Sequence, residues 1–222
     1  MGTLYLVRHG QASFGAADYD RLSDLGHRQC RRLGEYFAHK GRRFDAVLTG
    51  TLRRHAQSLA GIAEGMGWQP EPLALPELNE YDSEALIEAV HPGPLAKPDS
   101  PEVYRAHFRL LREALLQWIA GRIAPRGMPS YVDFVAGIEA ALDHVRSNHD
   151  GEVLIVSSGG PISTAVGRIL GTPAATTVEL NLRMRNSAVT EFAYTPKRHM
   201  LVTYNTLPHL DGAEHAGWVT YA

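Results

Sequence analysis

Arg8-His9-Gly10-Gln11 follows directly on the apolar run "TLYLV". These residue types suit the handling of a phosphoryl group. A neutral imidazole can attack phosphorus and form a covalent intermediate. A guanidinium fork matches phosphate oxygens, and a glycine lets backbone and ligand approach closely because no Cβ intervenes. A second basic segment, "GTLRRHAQS", follows the run "FDAVLT" and offers Arg53 and Arg54. A third, Ser157-Ser158-Gly159-Gly160, closes the run "EVLIVS" and leads into Pro161. The N–H groups at such a helix start attract an anion. On residue type alone Ser158 has three readings: an attacking nucleophile, a phosphate contact or a helix cap.

The elements that must position these groups are short and alternate in type. The three runs are rich in β-branched residues and read as strands buried on both faces, as in a parallel sheet. "AVTEFAY" and "MLVTYN" are later strands, near an edge or paired as a hairpin. Leu22, Leu25, Leu33, Tyr36 and Phe37 share one helical face that Gly41 can end. Ser100-Pro101 and Ser130 are helix starts, and Pro161 opens a helix through Leu170. Tyr104, Phe108, Leu111, Leu115, Trp118 and Ile119 recur at helical spacing, as core packing would require. Alternating strands and helices predict an α/β fold, a three-layer α/β/α sandwich with a mostly parallel central sheet. Ligands of such sheets bind beyond the carboxyl ends of the strands, where all three chemical segments fall.

The 222 residues suffice for one sizeable core. We expect a single domain, 1–222, with a helical insertion at about 83–130 between the loop-like stretches "HPGPLAKPDSPE" and "APRGMPS". A formal charge of -2 calls for neither a nucleic acid nor an anionic membrane as partner. The lone cysteine, Cys30, excludes an intrachain disulfide and fits a reducing compartment. No secretory signal opens the chain and no run is long enough to span a bilayer, so a cytoplasmic location is expected. No metal-binding motif such as His-Glu-x-x-His occurs and no cofactor is called for. Oligomeric state is left open.

Several spaced segments resemble the histidine phosphatase superfamily, which includes the cofactor-dependent phosphoglycerate mutases. "LYLVRHGQ" is similar to the strand and nucleophile loop, and "LSDLGHRQ" to the Leu-Ser/Thr-x-x-Gly-x-x-Gln helix start. "TLRRHAQS" is similar to Ser-x-Leu-x-Arg-x-x-Gln-Thr, "LNEYD" to the loop with the acid, and "VSSGGPI" to the second-histidine loop. The resemblance implies a small phosphorylated substrate and a metal-independent phosphatase acting through a phosphohistidine on His9. It selects Arg54 over Arg53 as the arginine that joins Arg8 on the phosphoryl oxygens. It selects Glu80 over Glu77, Asp82 and Glu84 as the proton donor. Gly10, Gln11, Ser158 and Gly159 would complete the substrate site.

The chain departs from the family in two places. A second histidine usually precedes the glycine turn; here that position carries Ser158, whose neutral hydroxyl still offers a hydrogen bond. The mutases carry a tryptophan and an asparagine after the nucleophile, where approximately Phe14 and Gly15 stand here, which favours a phosphatase over a mutase. Two rival readings remain. One is a catalytically weakened phosphate-binding or regulatory relative. The other is a serine hydrolase using Ser158, Asp211 and His215, although Val156 replaces the first glycine of its elbow. Gln11 can instead merely shape its loop, and His55 and His107 read as surface or structural groups.

Overall fold

The computed structural model describes residues 1–13, 20–91, 93 and 100–221. Its strands are β1 (Gly2–Arg8), β2 (Ala46–Thr49), β3 (Leu73–Ala74), β4 (Glu152–Ser157), β5 (Val189–Thr195) and β6 (Arg198–Thr206). Its helices are α1 (Asp24–His39), α2 (Arg53–Met66), α3 (Ser83–Val90), α4 (Pro101–Ile119), α5 (Tyr131–Asn148), α6 (Gly159–Leu170) and α7 (Ala174–Leu182). Among the described residues the strands form a six-stranded sheet in the order β3-β2-β4-β1-β5-β6. β3, β2, β4 and β1 run parallel. β5 and β6 are an antiparallel pair added beside β1. The expected hairpin is therefore present, and the sheet is mostly parallel.

Side-chain alternation along the central strands sends successive residues to opposite faces. Leu4, Leu6, Val153 and Ile155 pack with Ile138 and Leu142 of α5 and Ile162 and Val166 of α6. Tyr5, Val7, Leu154 and Val156 pack with Leu33 and Phe37 of α1 and Ile62 of α2. Both faces are covered by helices, which gives the α/β/α layering. Burying apolar side chains on both sides of β1 and β4, at about 1.5–3 kcal/mol each, makes these strands a rigid base for the loops beyond their carboxyl ends.

Helix boundaries follow the cap chemistry. Ser23, Ser100 and Ser130 accept from the backbone N–H groups of Gly26, Val103 and Asp133. α6 starts earlier than expected, at Gly159, with Pro161 inside its first turn, where its missing N–H leaves no intrahelical bond unmade. β3 and α7 lack the long apolar periodicity that announces an element, and they fall outside the sequence expectations. Leu115 and Trp118 of α4 are core residues that pack with Leu86 of α3 and Val178 of α7. Leu111, half-buried, packs against the same cluster, as the core stripe requires, and with Phe108 it also lines a cavity. Phe14 and Gly15, and most of the loop expected around 91–102, lie outside the described residues.

Candidate active site

The Arg8–Gln11 loop leaves β1 beside the end of β4, and the His9 N–H donates to the Ser157 carbonyl at 2.9 Å. His9 is buried, 3% exposed, with Nδ1 2.7 Å from the Gly10 carbonyl oxygen. A carbonyl only accepts, so Nδ1 carries the proton and Nε2 keeps its lone pair. Burial, then the charges of Arg8 and Arg54, holds His9 well below its ordinary 6.5, so the ring is neutral.

The loop is braced from α1 and α2. Gly10 N–H donates to Ser58 Oγ at 3.0 Å, and that hydroxyl donates to the Arg54 carbonyl at 2.7 Å. Gln11 N–H donates to Gln29 Oε1 at 2.8 Å, and Gln11 Oε1 accepts from the Ser23 hydroxyl at 2.8 Å. Gln11 therefore ties the loop to the α1 cap. A Cβ at Gly10 would lie 2.5 Å from the Gly26 carbonyl oxygen and 2.8 Å from Cys30 Sγ. Only glycine permits this approach of loop to helix.

Arg8, Arg54, His9 and Glu80 all line a cavity of about 430 Å³. Arg54, in the first turn of α2, is buried and donates from Nη1 to Asp20 Oδ1 at 2.8 Å. The same carboxylate accepts from the Arg53 N–H at 2.8 Å, which caps α2 from outside the helix. Arg8 Nη1 donates to the carbonyls of Met184 and, at 2.7 Å, Tyr221. Both acceptors lie far along the sequence and carry no local signal. Phe108, Leu111 and Leu182 give the cavity apolar lining.

Glu80 lies across from His9 at the start of α6. The Gly160 N–H donates to its carboxylate, at 3.0 Å from Oε1 and 3.2 Å from Oε2. Burial pushes Glu80 above the ordinary 4.5, opposed by the Gly160 N–H and by Arg54 and Arg8. A Cβ at Gly160 would fall 2.1 Å from Glu80 Oε1, so the acid reaches the helix start only because a glycine stands there. A Cβ at Gly159 would meet Asn181 Oδ1 at 2.5 Å and come within 3.8 Å of Arg8 Nε, which places that glycine beside the Arg8 guanidinium.

Ser158 occupies the N-cap position of α6 with extended backbone, φ -117° and ψ 173°, yet its hydroxyl makes no capping bond. The cap reading of the hydroxyl is therefore corrected. Glu80 takes the Gly160 N–H, and Ser158 Oγ lies 2.7 Å from Nε2 of His55. His55, expected among surface or structural groups, is completely buried on α2, with its ring centroid 5.9 Å from that of His9. Burial and the neighbouring Arg54 pull it down to about 3, against a smaller upward pull from Asp20, so it too is neutral. Its place directly after Arg54, beyond the end of β2, is the signal that could have revealed it. Asp211 is exposed, while His215 packs on Trp218 with ring centroids 4.8 Å apart. The histidine that meets Ser158 is thus His55. Among the described residues no three His, Cys, Asp or Glu side chains gather as metal ligands, and no helix is long and apolar enough to cross a membrane.

Residues 4–207 match the family described as "Histidine phosphatase superfamily (branch 1)", and the chain belongs to that superfamily. A curated relative, the "Putative phosphoserine phosphatase 2" of Hydrogenobacter thermophilus, is 26% identical over 222 residues, covering 94% of this chain and 98% of its own length. The Entamoeba histolytica phosphoserine phosphatase, solved in complex with 3-phosphoglyceric acid, has a TM-score of 0.65 at 18% identity, covering 95% of this chain and 100% of that one. A mycobacterial glucosyl-3-phosphoglycerate phosphatase has a TM-score of 0.63 at 22% identity, covering 93% of this chain and 99% of that one. At these identities the two solved structures speak for the fold alone.

Proposed function

We propose that this protein is a phosphatase that hydrolyses a small phosphomonoester through a phosphohistidine on His9, without a metal ion. The observation that carries this reading is the imidazole of His9, neutral and with Nε2 unprotonated, lining a cavity it shares with Arg8, Arg54 and Glu80. In the first step Nε2 attacks phosphorus and the bond to the ester oxygen breaks. Glu80 gives its proton to that leaving oxygen. In the second step Glu80 takes a proton from water as the water oxygen attacks phosphorus. The P–N bond then breaks, which frees inorganic phosphate and restores His9. Arg8 and Arg54 stabilise the charge on the phosphoryl oxygens in both steps. Gly10 and Gly159 allow close approach, Gln11 holds the loop, and Ser158 contributes a phosphate contact.

The solved relatives named above carry the names of small phosphorylated acids, and the cavity volume suits a substrate of that size rather than a nucleic acid or a membrane surface. The test is hydrolysis of p-nitrophenyl phosphate in the presence of a chelator by wild type and His9→Ala. Turnover in the wild type that vanishes in the variant supports the reading. Equal turnover in both removes His9 from the chemistry, and loss of wild-type turnover on chelation removes the metal-independent route.

A further inference from the structure

We propose that His55 is a positioning residue for phosphoryl transfer: it delivers to Ser158, from helix α2, the imidazole that the family usually carries at the start of α6. The proposal deepens the phosphatase reading and rests on it. His55 Nδ1 is buried and has no hydrogen-bond partner, while Nε2 lies 2.7 Å from Ser158 Oγ. A buried N–H without an acceptor is costlier and rarer than an unused lone pair. The single proton of the neutral ring therefore belongs on Nε2, where it is donated to Ser158. The ring fits because residue 50 is a glycine; a Cβ there would lie 2.2 Å from Nδ1.

Once Ser158 Oγ accepts from His55, its own proton remains to be donated. Among the described residues this hydroxyl has no second protein partner, and the Ser158 side chain is fully buried. Next along the chain is Gly159, beside Arg8, and the His9 ring lies next to that of His55. The acceptor left for the hydroxyl is an oxygen of the phosphoryl group on His9. The chain His55 Nε2–H to Ser158 Oγ–H to phosphoryl oxygen gives the serine one fixed direction. It takes over the hydrogen-bond donation expected of a second histidine, without that residue's charge.

The experiment compares wild type, His55→Leu, His55→Gln, Ser158→Ala and the double variant His55→Leu/Ser158→Ala. Melting temperature, kcat and KM for p-nitrophenyl phosphate, and orthovanadate affinity are measured for each. Gln can place an N–H near the Nε2 position, whereas Leu cannot. We expect folded His55→Leu to lose about 10–10²-fold in kcat, the loss of one hydrogen bond to a charged group. His55→Gln should recover most of it. The double variant should lose no more than either single variant, because the pair acts as one unit. Equal losses in Leu and Gln, or losses that multiply in the double variant, overturn the proposal. If the wild type hydrolyses no phosphomonoester, the phosphatase reading fails, and orthovanadate then judges His55 separately. Weaker binding in Leu than in Gln supports the positioning role, and equal binding in wild type and Leu ends it.

Discussion

The carboxylate of Glu80 rests on the backbone N–H of Gly160, with both oxygens within 3.2 Å of the nitrogen. This contact opposes, without reversing, the upward push of burial on the acid. Turnover by the proposed route needs Glu80 protonated and His9 neutral. His9, held well below 6.5, is lost to protonation only at low pH. Glu80, raised above 4.5, is lost to deprotonation as pH climbs through its raised value. The kcat/KM profile should therefore be a bell whose alkaline limb belongs to Glu80. Glu80→Gln should remove that limb and lower kcat for an alkyl phosphate by about 10²–10⁴-fold. p-Nitrophenyl phosphate, whose leaving group needs less protonation, should suffer less. An alkaline limb that persists in Glu80→Gln would assign the proton to a neighbour such as Asp82 or Glu84.

Gly10→Ala tests the fit of the Arg8–Gln11 loop against α1. The new methyl would meet the Gly26 carbonyl oxygen and Cys30 Sγ inside contact distance, so the loop must shift. A displacement of about 1 Å can cost ~10²-fold in rate. Overpacking of this kind costs about 1–3 kcal/mol in stability. Activity should collapse while the variant still melts cooperatively; wild-type kcat in Gly10→Ala would show that the loop has slack.

The apolar lining predicts how substrates are told apart. Phe108 and Leu111 of α4 line the cavity together with the two arginines. Phe108→Ala should raise KM for esters with an apolar body, by about 10-fold for a lost contact of ~1–3 kcal/mol, and leave kcat nearly unchanged. A matching fall in kcat would move Phe108 into the chemistry itself.

Acid should unfold this protein through its buried histidines. His55 and His209 are both held down to about 3, chiefly by burial. An unfolded chain takes up their protons near the ordinary 6.5, while the folded chain does not until about 3. The stability they confer is complete above 6.5 and falls with pH through that window, by about 1.4 kcal/mol per pH unit for each ring. Glu80, shifted the other way, offsets part of the fall in its own window. Urea midpoints measured across this range should decline, and His209→Asn should make the decline shallower. An unchanged slope would mean that His209 can be charged within the fold.

Much of this architecture is legible in the sequence because β1, β2 and β4 are apolar on both faces and end in chemically loaded turns. Arg8, His9 and Arg54 stand at or beyond the ends of β1 and β2, resemblance singles out Arg54 over Arg53 and alone points to Glu80, and all four share one cavity. β3 escaped notice because two exposed residues carry no pattern. The Met184 and Tyr221 carbonyls on Arg8 escaped because any residue type supplies a carbonyl. For His55 the sequence leaves a surface and a structural place both open, because a histidine amid polar helix residues fits either; the structure buries it against Ser158. Its burial depends on β2 lying beside β4, which neither segment states on its own.

That strand order has a wider implication. Neighbouring strands of a sheet lie about 4.8 Å apart, so the turns following β2 and β4 open side by side into one region. A side chain can be surrendered by one turn and supplied by the next without moving the backbone of either. In this chain an imidazole from the β2 side and a hydroxyl from the β4 side already meet in that way, at 2.7 Å. The inventory that matters for such proteins is taken by volume in space, across adjacent strand ends, rather than letter by letter along the chain.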